Sequence, residues 1–382
     1  MKIFLKILII FSIVFFIGAC NDPIFYTVFQ ETPILKPFID GSPTNFAVFN
    51  SALYVASGKK IFVYNGIWAE WKKLGDRVGA LAATNASLFA LYLENDSGNG
   101  RIINLTSGTI LSLPNPQSIV QSIHADGNVL FVSAIVIINN IYSYKIYHRK
   151  DGDSNFTEIP FQETVSVLAG VASDADYYYL CAGSFIYCVD KISIEPVKKD
   201  EKDFAFSAAL GDIFTGIVKI NDDYCAVISG NGKIYEINDG TISSALTEKF
   251  TESRSSTGAI AVWYNTDHNP SLLLVGRKET SYTTSSGYTN GYVEITLDPE
   301  TGKISGSQFN EPGKTAPSSV IGDKAYDRYV SSLGKKPVNH IIQTPFSIDP
   351  NMRLFASTQQ NGVWSYRDRG DGEGLRWNAE QP

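Results

Sequence analysis

Leu53-Tyr54-Val55-Ala56-Ser57-Gly58 is a short apolar run that ends on small residues, and the same kind of run returns six more times. The other copies are Leu88-Phe89-Ala90-Leu91, Leu130-Phe131-Val132-Ser133-Ala134, Tyr179-Leu180-Cys181-Ala182-Gly183, Ala226-Val227-Ile228-Ser229-Gly230, Leu273-Leu274-Val275-Gly276 and Leu354-Phe355-Ala356-Ser357. A repeat at a fixed spacing governs the reading of a whole chain, so it is read first. Continuous apolar runs of this length mark strands buried on both faces.

Each copy has the same surroundings. An apolar strand precedes it, as at Phe46–Phe49, Val167–Val171, Ile217–Ile220 and Ala259–Trp263. An alternating strand follows, as at Ile61–Tyr64, Ile234–Ile237 and Val363–Tyr366. A fourth, weaker strand comes after a turn. Asn65-Gly66 precedes Trp71, and Asn238-Asp239-Gly240 precedes Ile242. Asn-Gly and Asp-Gly supply the positive φ that tight hairpins require. Four antiparallel strands recurring about every 40 to 50 residues is the blade pattern of a β-propeller. The expected fold is all-β, a propeller of seven four-stranded blades over residues 46–382. A membrane barrel would alternate apolar and polar residues over about ten positions per strand, which these runs do not.

Two stretches read as insertions between copies six and seven, Ser281–Asn290 and Lys303–Pro337. In the second, Val320, Tyr326, Tyr329, Val330 and Leu333 fall on one helical face, and Gly334 stands at a C-cap position. A short helix is expected there, before the last blade. The longest connections are expected between the second and third strands of blades three and six, and after blades four and six. All of these would emerge on one face of the propeller, and loops on a rigid scaffold are where binding concentrates.

The N-terminus carries an address. Lys2 and Lys6 precede an uncharged run, Ile7–Ile17, too short to span a bilayer, followed by Gly18, Ala19 and Cys20. Ile17-Gly18-Ala19-Cys20 resembles the lipobox of bacterial lipoproteins, with Ile where Leu is usual. With the sevenfold pattern, the chain is similar to propeller lipoproteins of spirochaetes and similar bacteria. The resemblance implies removal of residues 1–19, a diacylglycerol thioether on Cys20, and a membrane-anchored location in the cell envelope, either periplasmic or surface-exposed. It implies no activity. Residues 20–45 are then the lipidated end and tether, and two or more acyl chains suffice for stable attachment.

The whole chain has 32 bases and 39 acids, a net charge of −7. Removing residues 1–19 takes away Lys2 and Lys6 and no acid, leaving 30 bases against 39 acids, or −9. An acidic domain without a basic stripe is a poor nucleic-acid binder. After Cys20 only Cys181, Cys188 and Cys225 remain, an odd number that closes no disulfide framework. Cys181 and Cys188 flank a Gly183-Ser184 turn and are expected diagonal on one face, reduced and buried.

Candidates for chemistry are few. No nucleophile elbow, phosphate loop, zinc-protease motif or cofactor fingerprint occurs. His124 and His340 fall on first strands, which line a propeller's channel, either as a metal pair or as water-bound polar residues. Asp151-Gly152-Asp153-Ser154-Asn155 has the oxygen spacing of a calcium loop but lacks its later Gly and Glu, so a polar hairpin is expected. Arg369-Gly370-Asp371 is an adhesion-type tripeptide in a hairpin. Tyr282, Tyr288, Asn290 and Tyr292 lie in or beside a Tyr-, Ser-, Gly- and Asn-rich stretch whose composition is that of a binding loop. The expected function is a non-catalytic binding or scaffold propeller with a protein or glycan partner. A glycan hydrolase or lyase built in the channel, and a surface adhesin, are the alternatives.

Overall fold

The computed structural model describes residues 37–380, apart from 95–98, 139–140, 200–201, 210, 244–255, 265–270, 278–291, 299, 311–336, 345–353 and 369–374. Among the described residues there is no helix, and none is therefore long and apolar enough to cross a membrane.

Each predicted apolar run is the second strand of a four-stranded antiparallel unit, and there are seven units. The second strands are Ala52–Ser57, Leu88–Glu94, Val129–Ile138, Tyr177–Ala182, Tyr224–Ser229, Leu272–Arg277 and Leu354–Thr358. The first strands are Phe46–Phe49, Arg77–Ala83, Ile119–Asp126, Leu168–Ser173, Phe214–Lys219, Ser256–Trp263 and Val338–Gln343. Each first strand packs beside the next, and the seventh returns to the first, so the ring is closed.

The core explains why the second strands read as unbroken apolar runs. It is divided into seven clusters, one between each pair of neighbouring blades. A second strand sends alternate side chains into the clusters on its two sides. Leu274 packs toward blade seven, while Leu273 and Val275 pack toward blade five. Most positions of such a strand are buried, and polar ones such as Ser133, Ser229 and Ser357 are small and buried with the rest.

Blades two and three are further joined by one bridge, Gly100 to Val120. A Cβ on Gly100 would lie 2.2 Å from the Val120 carbonyl oxygen, so the joint requires glycine.

The seven blades are contiguous in sequence, so no strand is exchanged across the closure. Closure falls to the residues just before the first strand. Phe38 N–H donates to the Glu380 carbonyl at 2.7 Å, Val363 N–H to Ile39 at 3.1 Å, and Gly362 N–H to Gly41 at 2.9 Å. Ile39 is fully buried. Beneath it, Phe355 of blade seven meets Tyr64 and Trp68 of blade one edge-on, with centroids 4.8 Å and 5.5 Å apart. The packed body therefore begins at Pro37, and residues 37–45, expected as tether, are the clasp of the ring.

Several described turns on the first-to-second and third-to-fourth strand face are capped by their own side chains. Asp174 accepts from the N–H of Asp176 and Tyr177, and Asn221 from those of Asp223 and Tyr224. Asn104, Asp190 and Asp298 do the same after third strands. Residues 151–155 form one of these hairpin turns. The Asp151 carboxylate is spent on Thr84 Oγ1 at 2.6 Å and on the Ala86 N–H at 3.0 Å.

Three expectations about insertions change. Residues 304–310, taken as insertion, are the fourth strand of blade six. The extra residues of blade four do not follow its last strand. They form an outward hairpin, Lys198–Lys199 with Lys202–Asp203, before the fourth strand at Ala205–Ser207. Blade three has no long loop either. Its second and third strands, Val129–Ile138 and Ile141–Lys150, are ten residues each and simply continue past the sheet. The expected helix at Val320–Leu333 lies outside the described residues.

Candidate functional site

The two faces of the disk differ, and the difference locates the candidate site. On the face opposite the capped turns blade three projects a β-ribbon. Its second strand pairs with the first only as far as Ile135, opposite Ile119, and its fourth strand, Thr157–Glu158, meets the third only at Tyr147 and His148. Beyond these points the two long strands pair, among the described residues, only with each other, up to Ile138 and Ile141. One edge of Ile141–Lys145 is left open. Near the tip, Ile141 and Tyr142 are each 70 % exposed, against full burial for Leu130, Phe131 and Val132 at the root of the same ribbon. Open strand edges and exposed apolar side chains are what soluble proteins usually avoid, which makes the ribbon a candidate contact element.

A cavity of about 560 Å³ lies at the foot of the ribbon, between blades two and three. Leu111, Leu113, Pro116, Ile119 and Val120 give it apolar walls, and Glu94 and Arg101, paired at 2.5 Å, close one side. The same face receives the chain from its N-terminal side. Asp40 and Gly41 lie against Ser57 at the second-to-third strand turn of blade one, and Ser42 against Gln360 at the equivalent turn of blade seven.

The second concavity is the central channel. Its volume is about 700 Å³, and all seven first strands line it. Its lining contains neither Asp, Glu, Lys nor Arg. Among the described residues of its wall there is no carboxylate pair of the kind a glycosidase uses. Asn45 spans blades one and two, donating to the Leu81 carbonyl at 2.6 Å and accepting from its N–H at 3.0 Å. His124 and His340 both face the channel, as expected from their places on first strands. Burial pushes both imidazoles down to about 4, and each ring lies near enough for His124 to depress His340 further. Among the described residues no group of three or more His, Cys, Asp or Glu could hold a metal ion.

The other sequence candidates fall as follows. Tyr292 is not a loop residue. It opens the third strand of blade six, is 1 % exposed, and its hydroxyl accepts a hydrogen bond from Trp377 Nε1 at 2.9 Å. Its composition matched the loop, but the strand's inward register claims it for the core. Cys20, Tyr282, Tyr288, Asn290, Arg369, Gly370 and Asp371 lie outside the described residues. Cys181 and Cys188 sit diagonally, opposite Ile186 and Tyr179 respectively, and both are buried free thiols, as is Cys225. Burial raises all three, Cys188 and Cys225 to about 12.

Sequence reading missed the ribbon. Its signal was present: Asn139-Asn140 separates two long runs, Ile135–Ile138 and Ile141–Tyr144, rich in the residues strands prefer.

The closed ring of seven four-stranded blades makes this chain a seven-bladed β-propeller. No family model matches it, and no curated protein matches its sequence. Solved structures do resemble it. A GH74 enzyme of Niastella koreensis superposes with a TM-score of 0.57 at 12 % identity, over 90 % of this chain and 55 % of that one. This chain thus spans about half the length of that enzyme. YCF48 bound to D1 peptide gives 0.53 at 13 % identity, over 87 % and 93 %. An extracellular domain of a one-component system from B. thetaiotaomicron gives 0.54 at 9 % identity, over 87 % and 40 %. At such identities these likenesses speak to the fold.

Proposed function

We propose that this chain is a lipid-anchored, extracytoplasmic binding propeller. In this reading Cys20 carries the lipid, the propeller is non-catalytic, and the blade-three ribbon takes a protein partner. The observation that carries it is the ribbon itself, with Ile141 and Tyr142 each 70 % exposed beside an open strand edge. An open edge offers backbone donors and acceptors to an extended segment, and flanking apolar side chains add affinity through pockets or stacking. Buried Tyr in an interface combines large contact area with one hydrogen bond, which is why it anchors complexes.

The lipobox-like Ile17-Gly18-Ala19-Cys20 supports the anchor, and the likeness to an extracellular bacterial domain agrees with an address outside the cytoplasm. Sixteen residues, Asn21–Lys36, join Cys20 to the packed body. That length reaches about 55 Å when extended.

The test is photo-crosslinking in the producing bacterium. A crosslinkable residue replaces Tyr142 on the ribbon or, as a control, Ile67, which is 69 % exposed in a turn on the opposite face. The proposal expects a discrete adduct from position 142 that is absent from position 67 and is lost when Ile141 is also changed to Ser. Equal adducts from both positions, or none from 142, would contradict it.

A further inference from the structure

We infer that the central channel is a binding site for a small, uncharged, hydroxyl-bearing molecule, held between His124 and His340. This site is separate from the ribbon, and either proposal stands or falls without the other.

Hydrogen-bond partners fix which ring nitrogen carries a hydrogen. His124 Nε2 lies 3.0 Å from the Leu168 carbonyl oxygen, which can only accept, so Nε2 is the protonated nitrogen and Nδ1 keeps its lone pair. His340 is the reverse. Its Nδ1 accepts the Phe46 N–H at 3.3 Å, so Nε2 carries the hydrogen. In each ring the second nitrogen has no protein partner, and neither is among the sealed, unsatisfied polar atoms of the interior. Both therefore open on the channel. Blades three and seven stand on opposite sides of the ring, so the channel holds one acceptor facing one donor.

A hydroxyl is both donor and acceptor, and a molecule with several satisfies both walls at once. Charged ligands fit worse. A carboxylate or phosphate would accept from His340 but meet the lone pair of His124, and no Lys or Arg lines the wall to neutralise it. An ammonium would find no carboxylate. A metal ion needs a lone pair from each ring, and His340 could provide one only by surrendering its bond to Phe46. Val48, Ala80, Ala125, Val171 and Ile342, each only partly buried, supply apolar wall for the carbon faces of such a molecule. The volume, about 700 Å³, is of small-molecule size. The depressed basicity of both rings agrees, since each stays uncharged at neutral pH.

The experiment titrates the purified protein by calorimetry with neutral sugars (glucose, galactose, N-acetylglucosamine), with charged analogues (glucuronate, glucosamine) and with Zn²⁺. The proposal expects one neutral sugar to bind at one per chain, with affinity reduced tenfold or more in both His124→Ala and His340→Ala. It expects no such loss in His148→Ala, whose ring is buried away from the channel in the third strand of blade three. Should a channel variant fail to fold, the ¹⁵N resonances of the wild-type histidines decide, because two of the four must shift on saturation. Binding of Zn²⁺ or of charged analogues alone, binding that survives both channel substitutions, histidine resonances that do not move, or no binding at all would each overturn the proposal.

Discussion

Gly362 meets two demands at once. Its φ is +73°, in the left-handed region that L side chains rarely adopt, and a Cβ there would stand 2.2 Å from the Ile39 carbonyl oxygen. It holds the clasp between blade seven and the residues before blade one. Gly362→Ala should therefore lower stability by at least about 1–3 kcal/mol from backbone strain alone. A reduced denaturant midpoint with intact far-UV dichroism would register it. At the same scale, the channel histidines give stability a pH signature. Both are held near 4 in the folded chain, against 6.5 for a free imidazole. Between those values the unfolded chain binds protons that the native state refuses. Their contribution is whole above about pH 6.5 and is lost as pH falls toward 4, at up to about 1.4 kcal/mol per unit for each ring. Melting curves from pH 7 to 4 should show the decline, and His340→Gln should flatten it. The buried thiols give a simpler readout. Cys181, Cys188 and Cys225 should resist a thiol reagent in the native protein and react after denaturation.

Among the elements, the second strands were the most legible because burial on both faces keeps most of their positions apolar. All seven runs read from sequence are second strands of blades. The fourth strands were least legible. They sit at the rim, and those of blades two, three and five have only two residues each, so little composition is imposed on them. For the same reason Ile304–Asn310 was taken for insertion. The ribbon of blade three hid for another reason. Its strands carry the apolar pattern past the sheet, and sequence alone cannot tell the buried Ile146 from the exposed Ile141 along one strand. Tyr292 shows the converse, a residue of loop-like composition claimed by the core. Because the ribbon tip packs on nothing, Ile141→Ser with Tyr142→Ser should change stability by no more than about 0.5 kcal/mol at each site. With the crosslinker at position 142, Ile141→Ser alone should abolish the adduct. A large loss of stability would show that the tip is structural.

At the scale of the whole molecule, the interface between blades seven and one adds a clasp at residues 38–42 to its aromatic group Phe46, Tyr64, Trp68 and Phe355. The ring depends on both, since its last blade shares no strand with the first. Phe355→Ala removes a fully buried ring from this cluster and should cost about 3–5 kcal/mol. A mutation of similar size in another interface weakens one joint of a closed ring, whereas this one opens the ring at its seam. Amide exchange should therefore quicken in blades one and seven before the rest. The sevenfold repeat made the ring legible from sequence. The seam was not legible, because Pro37–Asn45 have no strand pattern and read as tether.

The account rests most heavily on a propeller held at a membrane through Cys20. The direct test is intact mass spectrometry of the protein from its own bacterium, grown with an alkyne-labelled fatty acid, beside a Cys20→Ser variant. The account predicts a mature chain that begins at Cys20, carries two or three acyl chains and takes up the label, and a variant that retains residues 1–19 and takes up none. An unlabelled wild-type chain, or one whose N-terminus lies anywhere else, would contradict it.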